Sequence, residues 1–371
     1  MKISNKAYIN SYTSVSCAGN NSQELFEAIC QKKETISLNQ RYVTDTTVAI
    51  GEIKSDKSFD TLLQDACQYI LDNSTLNDFS NTLLVVGSSV GGMRHTEESY
   101  FTSQSYTNIN YKEHPIDGIA HQLKTHFNFY DDISFSTACT SSANALGYAK
   151  EVIAKGIYKN VLVVGVDSLC ATTVCGFWAL SVLSTKPCTP FELNREGMNV
   201  SEGIAVLLIQ DEKQENAVEI CGVGYSSDAH HMTQPHPDGK GAQKAMNNAI
   251  KDAKIAKSDI AYINAHGTGT QANDSAELNA IGTLFGELRP YVGSTKSVTG
   301  HTLGAAGALE AIIACMVLQH NVVPPSKNIQ HPDREDVAFS NEAVSMEVNY
   351  VLSNSFAFGG NNTSLVFGKV R

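Results

Sequence analysis

One cysteine stands where a strand-like run gives way to a helix of small residues. In "ISFSTACTSSANALGYA" (residues 133–149) the apolar run breaks at Cys139, and Ser, Ala and Gly dominate the residues after it. A thiol at the start of a helix faces free N–H groups and the positive end of the helix dipole, and both favour the thiolate. Cys139 is therefore a candidate nucleophile, although a buried core cysteine also fits this composition.

Two further strand-to-helix turns carry histidine. "INAHGTGT" places His266 directly after a strand, and "GSTKSVTGHTLGAAGALEAI" places Lys296 and His301 in a second turn. A thiolate nucleophile needs a base or polarising groups near it, and cysteine with histidines from separate loops is a common solution. A lone histidine or a loop lysine would usually be structural or solvated, but two such turns favour a catalytic cysteine.

These turns need a layered scaffold to position them. Short apolar runs such as "TLLVVGSSVGG" and "NVLVVGVDSL" alternate with helical stretches such as "GAQKAMNNAIKDAKIA", and this alternation predicts α/β layers. The polar stretch "QDEKQENAVEI" is the best candidate boundary. We therefore expect one half over residues 1–211, carrying the cysteine, and a second over residues 212–371, carrying the histidines and the lysine.

The composition argues against several other classes of protein. The formal net charge of -11 does not favour binding to nucleic-acid phosphates. The N-terminus lacks an apolar core of signal-peptide length, and we see no run approaching the roughly 20 apolar residues of a membrane span, so we expect a cytoplasmic location. Nine cysteines without a CxxC pair indicate reduced thiols. No glycine-rich phosphate loop appears, and we expect no metal or cofactor.

Four motifs in order resemble one family. "TACTSSANALG", "NAHGTGT", "STKSVTGHTLGAAGALE" and "NSFAFGGNNTSLVF" are similar to the elongating β-ketoacyl-acyl-carrier-protein synthases, synthases I and II. The resemblance covers nearly the whole chain and implies the thiolase fold, a five-layered αβαβα arrangement of two similar halves, usually as a dimer. It also implies an acyltransferase that condenses malonyl groups with acyl groups, both delivered by an acyl carrier protein.

The motifs imply roles for individual residues. Cys139 matches the acyl-accepting nucleophile, His266 and His301 match the histidine pair, and Lys296 matches the accompanying lysine. Phe358, in "FAFGG", matches the gating phenylalanine of the family. The backbone N–H groups of Cys139 and Phe358 would form the oxyanion hole.

Further positions match supporting and pocket residues of the family. Asp274 and Glu277 follow the first histidine turn, and Glu310, in "GALE", is the expected partner of the lysine. Val90, in "GSSVGG", and Met198 correspond to chain-length positions, so we expect them to line the acyl pocket.

The chemistry of these residue types agrees with the resemblance. Forming a carbon–carbon bond needs an acyl group held as an electrophile, which a cysteine thioester supplies. It also needs a carbon nucleophile, which loss of CO2 from a malonyl thioester supplies if N–H donors stabilise the enolate oxygen. Two neutral imidazoles provide such donors.

Three related interpretations stay open on the sequence alone. A biosynthetic thiolase shares the fold but would carry a second cysteine in its last loop, where "NSFAFGGNNTSLVF" has none. The initiating synthase III branch normally has asparagine in place of the second histidine. A chain-length-factor subunit, which is a scaffold rather than an enzyme, would usually lack the nucleophile.

Several departures from the family pattern bear on specificity. The stretch "PCTPFELNREGMNVSEG" after "LSTK" is short, with Met198 where many members have phenylalanine and Ser201 where glycine is usual, and these changes could reshape the acyl pocket. The segment "KSDKSFDTLLQDA" lacks the cluster of basic residues that commonly binds the carrier protein in this family. This trimming favours an aryl-polyene or other specialised polyketide pathway, and leaves open a homodimer or a heterodimer with a related subunit.

Overall fold

The computed structural model describes residues 5–43 and 46–370. Its strands are β1 (Tyr8–Ser16), β2 (Ser37–Asn39), β3 (Val48–Ile50), β4 (Thr82–Gly87), β5 (Asp131–Phe135), β6 (Asn160–Asp167), β7 (Gly203–Gln210), β8 (Val218–Ser227), β9 (Ile260–Asn264), β10 (Tyr291–Gly293), β11 (Val322–Val323), β12 (Val344–Ser345), β13 (Tyr350–Phe356) and β14 (Asn361–Lys369). Its α-helices are α1 (Ser22–Cys30), α2 (Phe59–Asp72), α3 (Met93–Ser103), α4 (Ile116–Phe127), α5 (Ser141–Ala154), α6 (Ala171–Ala179), α7 (Lys240–Ala253), α8 (Gln271–Phe285), α9 (Lys296–Thr299) and α10 (Ala306–His320).

The main sheet repeats one strand order twice. Its order is β10-β9-β13-β14-β8-β1-β7-β6-β4-β5, so the two halves meet where β1 pairs with β8. In each half the first strand lies antiparallel to the last, and the second, third and fourth strands in chain order run parallel to one another. The division that we expect near residue 212 falls in the connection between β7 and β8.

Three layers of helices enclose the strands of the two halves. Helices α5 and α10 lie in the middle and contact strands of both halves. Helices α2 and α4 pack on the outer face of the first half, and α7 and α8 pack on the outer face of the second. The result is the five-layered αβαβα thiolase fold that the motifs predict.

Small residues allow the two central helices to approach closely. A Cβ added at Gly307 on α10 would come within 2.6 Å of the backbone nitrogen of Ala143 on α5. Packing at this distance excludes larger side chains. The small residues after Cys139 therefore have a structural reason as well as a catalytic one.

Helix α10 is apolar on all sides because it is surrounded by protein. The stretch Leu303–His320 has a mean hydropathy of 1.5, and within the described residues it is long and apolar enough to cross a membrane by length and composition alone. The expectation that no run approaches the length of a membrane span is therefore corrected here. In the structure 89% of this stretch is buried. It is the central core helix, which is the other setting in which a uniformly apolar helix occurs.

The candidate chemical residues follow the carboxyl ends of the parallel strands. Cys139 follows β5, His266 follows β9, Lys296 and His301 follow β10, and Phe358 follows β13. Carboxyl ends of neighbouring parallel strands share one edge of a sheet, which is where α/β folds place their ligands. The two halves bring their edges together, and the turns meet between them.

Candidate active site

The nucleophile turn is held by hydroxyl groups. Ala138 has a φ of 53°, a left-handed conformation that is uncommon for a non-glycine residue. Ser141 Oγ accepts a hydrogen bond from the Thr137 N–H at 3.0 Å and donates one to the Ala138 carbonyl at 2.6 Å. Thr140 Oγ1 donates to the Thr137 carbonyl at 2.7 Å. These bonds fix a tight turn that presents a partly exposed Cys139 to the cleft.

Strand β14 of the second half braces this turn. Asn361 Oδ1 accepts from Thr140 Oγ1 at 2.8 Å and from Asn144 Nδ2 at 3.2 Å. Thr363 Oγ1 donates to Asn144 Oδ1 at 2.5 Å. The sequence prediction did not single out these residues, although the polar run "NNTS" in an otherwise apolar strand is a signal that could have located them.

The two histidines and the cysteine lie together. His301 Nε2 is 3.0 Å from Cys139 Sγ, and the His266 and His301 ring centroids are 5.2 Å apart with the planes at 85°. One donor atom from each of the three residues lies within 4.8 Å of the other two. The three turns that the sequence singles out therefore form one cluster.

Both imidazoles are held in the neutral form. Burial is the largest cause that lowers the pKa of His266 and of His301, since a charged ring would lose its hydration. The positive charge of Lys296 lowers both pKa values further. A neutral imidazole carries one N–H, so each ring can donate a hydrogen bond to a developing oxyanion.

The ionisation of the thiol differs from the expectation based on the helix start. Burial raises the pKa of the Cys139 thiol to about 12, opposed by the Lys296 charge and by hydrogen bonds from the backbone N–H groups of Cys139 and Phe358. Desolvation outweighs these favourable contacts, so the packed site opposes the ionisation that the helix start favours. His301 Nε2 lies 3.0 Å from the sulfur, within hydrogen-bond distance of the thiol.

Lys296 is not a solvated loop lysine. Its side chain is buried, at 1% exposure, and its ammonium forms a buried ion pair with Glu310 on α10. A buried ammonium requires such a partner. Burial raises the pKa of Glu310 to about 7, and the charge of Lys296 opposes the rise. The expected pairing of these two residues is present.

Glu277 holds the backbone of the first histidine turn. Its carboxylate accepts from the N–H of His266 at 2.9 Å and of Gly267 at 2.8 Å, and from Asn354 Nδ2 at 3.0 Å. These contacts fix the backbone at the histidine and leave its ring free. Glu277 therefore positions the turn and does not itself line the cavity next to His266.

Asp274 supports the other end of the same turn. It accepts from the Gly269 N–H at 3.1 Å and from the Phe191 N–H at 2.9 Å. Arg195 Nε lies 3.5 Å from Asp274 Oδ2, and both side chains are fully buried. The residue links the histidine turn to the loop that contains Phe191.

Two cavities meet at the cysteine. The first, which we call the histidine cleft, has a volume of about 320 Å³ and is lined by His266, His301 and Met198 among others. The second, which we call the apolar cavity, has a volume of about 340 Å³ and is lined by Val90 and Leu303 among others. Both cavities reach the same four residues, Cys139, Phe177, Leu180 and Phe358.

Two aromatic side chains, Phe177 and Phe358, line both cavities. The ring centroids of Phe177 and Phe358 are 6.1 Å apart. Phe358 lies in the turn between β13 and β14, next to Gly359 and Gly360, which have φ values of 85° and 78°. Glycine tolerates this left-handed backbone, so the turn can place Phe358 over the cysteine.

The two expected pocket residues line different cavities. Val90 lines the apolar cavity, whereas Met198 lines the histidine cleft. Ser201, the other departure from the family pattern, donates its Oγ hydrogen to the Gly51 carbonyl at 3.0 Å and lies 3.6 Å from Cys17 Sγ. The Ser201 side chain therefore contacts Gly51 and Cys17, and its backbone N–H donates to the His301 carbonyl at 3.0 Å. Ser201 does not line either of the two cavities.

Asp167 at the end of β6 is a positioning residue that the sequence prediction missed. Its carboxylate accepts from Ser88 Oγ and Ser89 Oγ at 2.6 Å, from the Val90 N–H at 2.9 Å and from the Gly304 N–H at 2.6 Å. It thereby ties the Val90 loop to the turn after the second histidine. An aspartate at the end of a buried strand is the signal that could have found it.

Family models match both halves of the chain. The model described as beta-ketoacyl synthase, N-terminal domain, matches residues 52–215. The model described as beta-ketoacyl synthase, C-terminal domain, matches residues 217–330. Together these two matches cover more than half of the chain.

Curated and solved proteins show the same similarity. The chain is 37% identical over 311 residues to a 3-oxoacyl-[acyl-carrier-protein] synthase 2 of Coxiella burnetii. The alignment covers 77% of this chain and 75% of the relative. A chain from a ketosynthase in complex with its chain length factor, from Xenorhabdus doucetiae, superposes with a TM-score of 0.90 at 30% identity, over 99% of this chain and 98% of that one. A chain from a type II polyketide synthase complex of acyl-carrier protein with its ketosynthase also gives 0.90, at 25% identity, over 99% and 100% of the two chains.

Proposed function

We propose that this chain, which belongs to the β-ketoacyl synthases, catalyses the decarboxylative condensation of malonyl groups with an acyl group held on Cys139. The product is a 3-oxoacyl group on an acyl carrier protein, which makes the enzyme an acyltransferase. The observation that carries this proposal is the convergence of Cys139, His266 and His301 at the point where two cavities meet.

Acyl loading comes first. Cys139 Sγ attacks the carbonyl carbon of an acyl thioester on the carrier, and its proton passes to His301 Nε2, 3.0 Å away. The carrier thiolate leaves and takes up that proton. The acyl chain then extends into the apolar cavity past Val90.

Decarboxylation generates the carbon nucleophile. A malonyl thioester enters the histidine cleft, and its carbonyl oxygen lies against the rings of His266 and His301. The carboxylate carbon–carbon bond breaks, CO2 leaves, and the electron pair forms a thioester enolate. Neutral imidazole N–H groups stabilise the enolate oxygen, and loss of one such donor typically costs about 3 kcal/mol in other enzymes.

Condensation completes the cycle. The enolate carbon attacks the acyl carbonyl on Cys139, and negative charge develops on the acyl oxygen. The backbone N–H groups of Cys139 and Phe358, which already point at the sulfur, stabilise this oxyanion. The carbon–sulfur bond then breaks, and the departing Cys139 thiolate takes up one proton from solvent. The positive charge of Lys296 lowers the pKa of both histidines, so both rings are neutral when the malonyl thioester enters the cleft.

A dimer is part of this proposal. Helix α6 is rich in apolar residues, yet Val174 is its single buried residue in the structure, and the helix forms one wall of the apolar cavity. Nearby on the chain, Leu180 is 52% exposed. Apolar surface left in water costs about 25 cal/mol per Å², which favours covering this face. A second copy, or a related subunit lacking the nucleophile, would cover it.

The partners of solved relatives support a specialised pathway. One is a ketosynthase in complex with its chain length factor, and another is a ketosynthase in complex with a type II polyketide acyl-carrier protein. We extend both partner types to this chain, and with them a cytoplasmic location and a role in aryl-polyene or related polyketide synthesis. Light scattering of the purified chain, with and without a synthase-like subunit encoded beside it, distinguishes a homodimer from a heterodimer. An active monomer at assay concentration would contradict both.

A scaffold role like that of a chain length factor is the alternative. Cys139 at the base of two cavities argues against it, because a scaffold needs no nucleophile. Intact-mass analysis after incubation with an acyl-carrier thioester tests this directly. The proposal predicts one acyl group per chain, absent from Cys139→Ala and retained in Cys30→Ala, which removes a partly exposed thiol at the end of α1. A wild-type chain that never acylates would favour the scaffold.

A further inference from the structure

The cysteine and the two histidines form a donor set suited to a soft metal ion. In the described part of the chain, Cys139, His266 and His301 are a group whose ligand atoms all lie within 4.8 Å of one another. Thiolate and imidazole are the ligands that Zn²⁺ selects in proteins, whereas Mg²⁺ and Ca²⁺ prefer oxygen. No carboxylate belongs to this group of described residues.

The spacing is close to that of a zinc site with one open position. Zinc–sulfur bonds of about 2.3 Å and zinc–nitrogen bonds of about 2.0 Å place tetrahedral ligand atoms roughly 3.3 to 3.6 Å apart. Cys139 Sγ and His301 Nε2 are 3.0 Å apart, so this pair needs to open only slightly. The ligand atom of His266 lies at most 4.8 Å from those of Cys139 and His301. Side-chain shifts of about 1 Å would bring all three atoms to the separations of a zinc site. The histidine cleft leaves the fourth position to water.

We propose that Cys139, His266 and His301 bind one Zn²⁺ ion reversibly, and that the bound ion blocks acyl loading. The ion occupies the sulfur lone pair that would otherwise attack the acyl carbonyl. The binding half of this inference stands on geometry alone, and the inhibition half rests on the proposed function. On binding, the Cys139 S–H bond breaks, its proton leaves to solvent, and a zinc–thiolate bond forms.

The surroundings favour an inhibitory ion over a resident one. Resident metal-ligating histidines almost always donate their second ring N–H to a carboxylate or a carbonyl. Here Nδ1 of His266 and Nδ1 of His301 have no hydrogen-bond partner among the described residues. The nearby ammonium of Lys296 also opposes a dication, although Glu310 balances its charge. Zinc should therefore bind more weakly than in structural sites and should be removed by chelators.

Direct metal titration tests the binding without any turnover. The purified chain is titrated with Zn²⁺ in competition with a chromophoric chelator, and with Co²⁺ to record thiolate-to-metal charge-transfer absorption. We expect one ion per chain, a Co²⁺ spectrum typical of a tetrahedral thiolate site, and no competition from Mg²⁺. The Cys139→Ala and His301→Ala variants should each lose at least about 10- to 100-fold in zinc affinity, the range that loss of an outer-shell partner already costs.

A surface histidine pair provides the matched control. The rings of His230 and His236 lie with their centroids 5.0 Å apart and their planes at 54°, in the segment whose His231 and Pro235 line the histidine cleft, and they could also bind metal. Zinc affinity should be unchanged in the His230→Gln/His236→Gln double variant. Retained affinity in Cys139→Ala, or lost affinity in the double variant, would overturn the site. Circular dichroism of each variant checks that a loss of affinity is not a loss of folding.

A condensation assay separates the two halves of the inference. We expect Zn²⁺ to inhibit product formation and to protect Cys139 from alkylation. EDTA should reverse both effects. Zinc binding at Cys139 in a chain that never condenses would refute the proposed function and keep the metal site. Normal condensation in a chain that binds no zinc at micromolar concentration would refute the metal site and keep the function.

Discussion

The turn that carries the nucleophile and the turn that carries the first histidine are built differently. Hydroxyl groups of Thr and Ser hold the turn at Cys139, which is partly exposed and opens onto an apolar cavity. The buried carboxylate of Glu277 holds the turn at His266, whose side chain is only 2% exposed. The first turn suits a thiol that exchanges acyl groups, and the second suits a rigid donor to an enolate. We therefore expect the two half-reactions to be separable.

Removing the thiol should have the greatest consequence for activity. Cys139→Ala should lower condensation by on the order of 10⁴-fold or more, because no acyl thioester forms. Malonyl decarboxylation should persist in part, since His266 and His301 remain. Parallel measurement of CO2 release and of carrier-bound product checks the split, with Cys30→Ala as the control. Equal loss of both activities would mean that the two turns do not act separately.

The two histidines should differ in their effects because they stand at different distances from the thiol. His266→Ala should lower turnover by roughly 10² to 10³-fold and leave acyl loading nearly intact. His301→Ala should slow both steps, since His301 Nε2 lies 3.0 Å from Cys139 Sγ. Single-turnover acylation followed by intact mass distinguishes them. Unimpaired loading in His301→Ala would show that this ring does not take the thiol proton.

Filling the apolar cavity should change chain length without stopping the chemistry. Val90→Phe adds volume in the cavity of about 340 Å³ next to Cys139, so the longest accepted primer should become shorter. Met198→Leu changes the histidine cleft instead and should alter malonyl affinity more than primer length. Product profiles over a series of acyl primers compare the two variants. A profile that shortens in Met198→Leu and not in Val90→Phe would reverse the assignment of the cavities.

A more modest effect, on stability, comes from the carboxylate of the histidine turn. Burial raises the pKa of Glu277 from 4.5 to about 7. Between these values the folded state keeps a proton that the unfolded state has released, so the contribution of Glu277 to stability falls as pH rises through that window. Its total change is up to about 3 kcal/mol.

Glu277→Gln removes this titration and tests it. Urea unfolding at pH 4.5 and pH 7.5 should show a smaller loss of stability for the variant than for the wild type. Glu151→Gln, on an exposed stretch of α5, serves as the control and should follow the wild type. Parallel pH dependences of Glu277→Gln and wild type would contradict the assigned ionisation of this carboxyl.

The sequence was sufficient for the features that depend on local pattern. Alternating strands and helices predicted the α/β layers, and the glycine-rich histidine turns predicted which residues meet. The Lys296–Glu310 pair followed from the motif and is present as a buried ion pair. The pattern carried this information because each chemical residue directly follows a strand.

Features that depend on burial and on distant contacts could not be predicted from the sequence. The helix start suggested a thiolate, but the desolvation that raises the pKa of Cys139 arises from both halves packed together. Asp167 binds the Val90 loop, which is 77 positions away in sequence. Asn361 binds the nucleophile turn, which is 221 positions away. The assignment of Met198 and Val90 to different cavities likewise required the packed structure.

Reconstituted condensation is the decisive experiment for the proposed reaction. The purified chain, with any partner subunit it requires, receives an acyl-carrier primer and malonyl-carrier, and mass spectrometry follows both the carrier and Cys139. We expect acylation of Cys139 first, then a carrier-bound 3-oxoacyl product lengthened by the two carbons of malonate, with one CO2 released per product. Formation of that product by Cys139→Ala, or a fully acylated Cys139 that never transfers its acyl group in the presence of malonyl-carrier, would contradict the proposed reaction.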